Sequence, residues 1–311
     1  MTTPTCVVHP TEKTRLIYSK AGDYITGDMF EVRECEACGL AQTYPRPDDL
    51  SPYYPTQYRR YSPIVLSILK AFYRMRVRGW SKLFKKPARA FEMGCGDGLM
   101  LAGLRDLGWQ VLGNERTEAM TEFARTKLGI EVFSGTLADM PPLPPFEMII
   151  LFQVLEHLSD PLADLQTLRG KIADDGKIII GVPNFDSWQA KFGKTGWLHL
   201  DVPRHLNHFT PKSITRVLAE AGFRVVKISF VSPEHDPIGW IQSVLNRIDN
   251  KHNRLLRLLM RLDKPNGWNV LHVLLGELLL PFALIASLIS WMAGKGGLMQ
   301  VVASPDAKAS G

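Results

Sequence analysis

The run Phe91-Glu92-Met93-Gly94-Cys95-Gly96-Asp97-Gly98 constrains the fold more than any other part of the chain. An apolar approach closes on Glu92, three glycines follow at alternate positions, and residues 99–107 carry a helical pattern. Glycine reaches positive φ without steric penalty and lets the backbone come close to a ligand. A strand, a tight turn and a helix in that order predict one unit of a doubly wound α/β sheet, with a crevice at the strand's carboxyl end. The spacing Glu-x-Gly-x-Gly-x-Gly differs from the dinucleotide fingerprint Gly-x-Gly-x-x-Gly, which weakens a pyrophosphate ligand.

The following residues extend the sheet. Residues 109–113 read as a second strand ending at Asn114-Glu115, and an acid at that tip can accept both hydroxyls of a ribose. Further strands are expected at 131–133, 146–152, 177–182 and 223–230, with helices at 119–128 and 212–221. Gln153 to Leu158 then lie at the carboxyl end of the fourth strand, where open α/β sheets bind ligands. A ligand joining an adenosine to a charged amino acid head suits this loop and acid, and S-adenosylmethionine is the common one.

Ahead of this core, Cys6-x-x-His9 and Cys35-x-x-Cys38 form two short ligand pairs, with Gly39 available for a tight turn. Three thiolates and one imidazole suit tetrahedral Zn2+ in a closed structural site. The short strands expected between the pairs have almost no apolar core, so a metal staple explains how they fold. Pro45, Pro47, Pro52 and Pro55 with Tyr44, Tyr53, Tyr54, Tyr58 and Tyr61 form a linker, read either as a strap over a pocket or as plain surface packing. Residues 64–83 are a basic amphipathic helix, suited to cover the sheet or to lie on an anionic bilayer.

The chain resembles a class I S-adenosylmethionine-dependent methyltransferase of the bacterial group with an amino-terminal zinc-knuckle segment. The likeness covers residues 1–235 and a short strand near 297–303. Glu92, Gly94, Gly96 and Gly98 match the family's first motif, and Glu115 matches its ribose-binding acid. Residues 152–158 match the motif that flanks the cofactor, and residues 204–210 match a recurrent segment after strand five. The resemblance implies a cofactor site of Tyr61, Glu92, Gly94, Cys95, Gly96, Gly98, Glu115, Arg116, Gln153, Val154 and Leu155. The aspartate often found after strand three is absent here, which shifts the adenine contact to Thr136 or Leu137.

Methyl transfer to oxygen or carbon needs a proton removed, and histidine has the appropriate intrinsic pKa. His157, His205 and His208 are the candidate bases, with His199 more distant. For His157 the alternative is a cap of the following helix, and for Arg204 an anionic substrate competes with an ion pair to Asp201. Asp160-Pro161 reads as a helix cap and first-turn proline.

Residues 269–293 run almost entirely apolar, with Glu277 as the one formal charge, after a basic helical stretch at 238–262. The length would span a membrane. A single crossing would, however, separate the last strand from its sheet, and Pro281 is expected to divide the run into two pieces. A shallow hairpin or two helices resting in one leaflet satisfy both points, with a soluble homodimer interface and a true span as alternatives.

The expected architecture is therefore a Rossmann-like α/β methyltransferase sheet with helices on both faces. The divisions are a zinc module at 1–45, a linker and basic helix at 46–88, the core at 89–236, a membrane-associating insertion at 237–296, and a final strand and tail at 297–311. The formal charge of +6 is concentrated in residues 70–89 and 247–261, where it could meet lipid or nucleic acid phosphates. No recognised nucleic-acid module accompanies it, so RNA methylation is disfavoured. The chain opens without a signal-peptide pattern, and four cysteines do not suggest a disulfide scaffold. The reading is an enzyme at the cytoplasmic face of a membrane that methylates a small or amphiphilic acceptor, oxygen being favoured. The rival is a non-catalytic cofactor-binding module.

Overall fold

In a computed structural model, residues 4–54, 63–140, 142–249, 252–260, 262–264 and 266–306 are described. Pro55, Tyr58 and Tyr61 lie outside them. In chain order the elements are β1 (Thr14–Gly22), β2 (Met29–Cys35), β3 (Ala41–Tyr44), α1 (Pro63–Ser81), β4 (Arg89–Met93), α2 (Leu99–Arg105) and β5 (Gln110–Glu115). There follow α3 (Glu118–Leu128), β6 (Val132–Ser134), β7 (Phe146–Phe152), α4 (Pro161–Arg169), β8 (Ile172–Pro183), α5 (Trp188–Gly193) and β9 (Asn207–His208). The chain ends with α6 (Pro211–Glu220), β10 (Phe223–Ser229), α7 (Asp236–Ile248), α8 (Arg254–Leu259), α9 (Gly267–Met292) and β11 (Leu298–Pro305).

The central sheet has the order β10-β11-β8-β7-β4-β5-β6. Strands β4 to β8 pair in parallel, and β11 alone in this sheet runs against its neighbours. Parallel strands buried on both faces should be continuously apolar. Met148, Ile149, Ile150 and Leu151 of β7 and Ile178, Ile179 and Ile180 of β8 are all fully buried. The chain reverses direction of winding at β4, which has β5 on one side and β7 on the other, so the crevice opens at the carboxyl ends of β4 and β7. Helix α1 covers one face by packing Val77 and Trp80 against Met100, Leu104 and Trp109.

The amino-terminal strands form a second sheet, β1-β2-β3-β9, whose fourth strand comes from beyond residue 45. The expected lack of a core is corrected by a shared one. Phe30, Val32, Ala41 and Tyr53 pack on Trp197, Leu200 and Val202, which follow β8.

The expected break at Pro281 does not occur: α9 is one helix of 26 residues with the proline inside it. Proline removes one backbone hydrogen bond. Packing of α9 on Ile241 and Leu245 of α7 and Leu255 of α8 supports the rest. The hairpin is made by α7 and α8 against α9, and not within the apolar run. Helix α9 is also inverted in its burial. Gly276, Ala283, Ser287 and Ser290 face inward, whereas Leu274, Leu278, Phe282, Ile285, Leu288, Ile289 and Met292 are exposed.

Candidate functional site

The turn after β4 is built from three left-handed glycines, Gly94 (φ 64°), Gly96 (φ 54°) and Gly98 (φ 74°). A Cβ on Gly94 would stand 2.7 Å from Val154 Cγ2, and one on Gly98 3.1 Å from Ala124 Cβ, so both glycines allow close packing. A Cβ on Gly96 would meet nothing within 4 Å, which leaves open space over the middle of the loop. The Cys95 amide donates to Asn114 O at 2.9 Å, tying the loop to β5. At the tip of β5, Glu115 accepts from the Gly96 amide at 3.0 Å and from the Thr117 amide at 2.8 Å. Glu92 is buried beneath this turn, and its Oε2 has no hydrogen-bond partner among the described residues. Burial, then the Asp97 and Glu115 charges, push its pKa well above the usual carboxylate range. A ligand that brings a cation or hydroxyls to this loop meets acids placed to receive them.

Across the crevice, Gln153 follows β7 with φ 58°, an uncommon conformation for a side chain of this size, and its Nε2 is buried without a hydrogen-bond partner among the described residues. Its amide donates to Gly181 O at 2.8 Å, fixing the end of β7 to β8. Val154 abuts Gly94, while Leu155 is fully buried in the core. On the adenine side, the Thr136 amide and hydroxyl donate to Asp139 in a capping box, and Leu137 points into the core. Arg116 is exposed.

The three candidate bases separate. His157 and His205 meet edge to face with ring centroids 4.7 Å apart, beside the buried Glu156. The His157 Nδ1 lies 2.8 Å from Arg204 O, and the His205 Nδ1 lies 2.9 Å from His199 O. His208 is instead sent to the amino-terminal sheet, with Nε2 2.9 Å from Thr43 Oγ1 and its ring against Phe185. Burial, then the His157 charge, lowers the His205 pKa, and burial, then Arg46, lowers that of His208 to about 3. Arg204 pairs with Asp201 and also with Asp23, and is fully buried, so it is not presented to a substrate.

The amino-terminal ligand pairs do converge. Cys6, His9, Cys35 and Cys38 place one ligand atom each within 4.8 Å of one another. Cys6 and Cys38 Sγ are 3.8 Å apart, too far for a disulfide, and Gly39 turns the second pair with φ 73°. His9 Nε2 contacts Glu220 Oε1 at 3.2 Å, while Nδ1 is buried with no hydrogen-bond partner among the described residues. The thiol hydrogen bond from Cys38 lowers the Cys6 pKa to about 5 and raises that of Cys38. A soft dication would receive all four donors and offset the crowding of thiolate charge.

One group at the carboxyl edge escaped the sequence reading. Glu234 and His235 follow β10, and Glu234 forms a buried ion pair with Arg76 of α1. Arg76 and His235 both lie beside Phe152, the last residue of β7. The Pro233-Glu234-His235-Asp236-Pro237 string after a strand was the available signal.

A seven-stranded α/β sheet with a glycine turn and a terminal acid at its switch point defines a nucleotide-type crevice. The chain belongs to the methyltransferase-domain family, whose model matches residues 66–228. It is 26% identical over 153 residues to a ubiquinone biosynthesis O-methyltransferase of Dinoroseobacter shibae, covering 45% of this chain and 62% of that one. It is also 26% identical over 136 residues to a probable S-adenosylmethionine-dependent methyltransferase of Mycolicibacterium smegmatis, covering 43% and 51%. A crystal structure of a SAM-dependent methyltransferase from Archaeoglobus fulgidus superposes with a TM-score of 0.48 at 19% identity, over 76% of this chain and 94% of that one.

Proposed function

We propose that this chain transfers the methyl group of S-adenosylmethionine to an oxygen of an amphiphilic acceptor at the cytoplasmic face of an anionic membrane. The observation that carries the reading is the open space over Gly96 beside the Glu115 carboxylate. The glycine-loop backbone and Glu92 would hold the amino acid end, Glu115 the ribose, and Gln153 and Val154 the opposite wall. Bound there, the cofactor supplies an electrophilic methyl on a sulfonium. The residues contribute orientation and exclusion of water, which account for much of the rate in a displacement. Zn2+ on Cys6, His9, Cys35 and Cys38 would be structural, because four protein ligands close the site.

Two observations support the acceptor class. The Dinoroseobacter shibae relative is named for O-methylation in ubiquinone biosynthesis. The outer face of α9 exposes large apolar side chains, as a helix resting in a leaflet would. The test is incubation of purified protein with methyl-tritiated cofactor and membrane extract. Label entering lipid-soluble material is expected. Label confined to aqueous metabolites rejects the amphiphile, and cofactor binding without any transfer rejects the activity.

A further inference from the structure

Residues 152, 181, 300 and 229 form one row across β7, β8, β11 and β10 at the carboxyl edge, since Phe152 pairs with Gly181, Gly181 with Gln300 and Gln300 with Ser229. A Cβ on Gly181 would lie 2.3 Å from Phe152 Cδ2, so the glycine allows the Phe152 ring to lie over β8. Around that ring stand the Arg76 guanidinium, 4.7 Å away, and His235, at 6.0 Å between centroids. The next residue after Phe152 is Gln153, on the crevice wall. His235, in the segment between β10 and α7, therefore stands at the carboxyl edge beside the residue that precedes the crevice wall.

The surroundings of His235 suit a proton acceptor. Its Nδ1 is 3.0 Å from Ser232 Oγ and 3.5 Å from Glu234 Oε1. An ionised carboxylate only accepts, so the arrangement favours a proton on Nδ1 and a lone pair on Nε2. Burial opposes ionisation of Glu234, but the His235 hydrogen bond and charge and the Arg76 charge hold its pKa down to about 2. Arg76 is held in turn by Gln300 Oε1 at 2.8 Å. The His235 side chain retains 20% exposure, whereas His199, His205 and His208 are buried.

We propose that His235 is a catalytic residue, the base that takes the hydroxyl proton of the methyl acceptor, with Glu234 as the positioning residue behind it. This rests on the proposed methyl transfer. As the acceptor oxygen forms its bond to the methyl carbon, the carbon–sulfur pair returns to sulfur. The oxygen–hydrogen pair stays on oxygen while Nε2 takes the proton. One positive charge leaves the sulfonium and one appears on the imidazole, next to the Glu234 carboxylate.

The test uses the full chain with S-adenosylhomocysteine as binding probe and the tritium assay on membrane extract. His235→Gln should bind the probe within about twofold of wild type and transfer label about 100-fold more slowly. Glu234→Gln should bind equally well and transfer about tenfold more slowly. In the wild type, 15N shifts of His235 should report a protonated Nδ1 and a free Nε2, with the preference lost in Glu234→Gln. Transfer by His235→Gln within about threefold of wild type, or a protonated Nε2 in neutral wild-type protein, overturns the assignment. If His235→Gln loses probe binding, the nitrogen shifts and Glu234→Gln decide. A wild type that binds the probe and transfers nothing overturns the activity itself, and the assignment with it.

Discussion

Arg204 and Asp23 are both fully buried and joined by a 2.7 Å hydrogen bond from Nη2 to Oδ1, across 181 residues of sequence. The same guanidinium donates to Asp201 Oδ1 and to Tyr53 O, each at 2.8 Å, and lies over the Tyr24 ring. One side chain thus joins the turn between β1 and β2, the residues before α1 and the loop after β8. A buried ion of this kind is tolerable only while every partner is present.

Asp23→Ala would leave the Arg204 charge short of a partner in a dry site, and would remove the Asp23 Oδ2 that accepts from the Ile25 and Thr26 amides. A loss of about 3 kcal/mol is expected. Urea unfolding followed by tryptophan fluorescence measures it. A midpoint equal to wild type would mean that the amino-terminal sheet docks without this pair.

Acid should destabilise the chain before it discharges most carboxylates. Burial lowers the pKa of His199 and of His208 to about 3, and that of His205 well below its ordinary value. Unfolded, each binds a proton near pH 6.5, so the stability from neutral burial is complete above that pH and is lost as pH falls toward 3. Asp236 and Glu92 have the opposite sign: burial raises the pKa of Asp236 to about 7 and that of Glu92 well above the usual carboxylate range, so the folded state holds those protons longer. The three histidines outnumber these two carboxyls by one, giving a net loss of about 1 kcal/mol per unit near pH 5. Thermal midpoints should fall from pH 6 to pH 5, and a flat series over that unit would contradict the buried neutral rings.

The glycine turn, its terminal acid and the strand at 146–152 were legible because each depends on local residues and a fixed period. The pair Cys6-x-x-His9 and Cys35-x-x-Cys38 was legible as ligand chemistry, and its convergence follows from the β1–β2 pairing that sets Thr14 against Cys35. What stayed hidden depends on distant pairing. His208 has the composition of a catalytic histidine, yet its two-residue strand pairs with β3 and carries it away from the crevice. His235 reaches Phe152 through the β10-β11-β8-β7 row, which no local pattern encodes. Pro281 suggested a break because sequence rules count the lost hydrogen bond and not the packing of α9 on α7 and α8.

Glu115 holds the Gly96 amide and, in the proposed site, offers its carboxylate to the ribose. Glu115→Ala should weaken S-adenosylhomocysteine binding by tenfold or more, about 1.5 kcal/mol for a charge-assisted hydrogen bond. Titration calorimetry measures it. Unchanged affinity would remove Glu115 from the ribose site.

The metal centre should show a carboxylate behind its histidine. Wild-type protein is expected to carry one equivalent of zinc, lost on replacement of Cys35 and Cys38. Glu220, 3.2 Å from His9 Nε2, occupies that ring nitrogen and leaves the buried Nδ1 as the donor for a metal. Glu220→Gln should retain the metal but release it to a chromogenic chelator with about tenfold lower affinity. Zinc content unaffected by loss of both cysteines would reject the site.

Helix α9 sets the last prediction, because its outer face exposes the large apolar side chains that the proposed membrane contact would cover. Arg254 and Arg257 of the neighbouring basic stretch are paired with Asp249 and Asp263, so less charge faces outward than the sequence suggests. Attachment should therefore depend on apolar contact first and on anionic lipid second. Leu278 and Phe282 are 66% and 64% exposed, so their replacement leaves the packed face intact. Burial of each is worth about 2 kcal/mol. The double variant Leu278→Glu, Phe282→Glu should then lose about 100-fold or more in vesicle partitioning, with unchanged circular dichroism. Wild-type protein should float with neutral vesicles, and more strongly with anionic ones. A double variant that floats as well as wild type would reject α9 as the anchor. If it changes only from dimer to monomer in sedimentation, the apolar face is a contact between two copies of the chain.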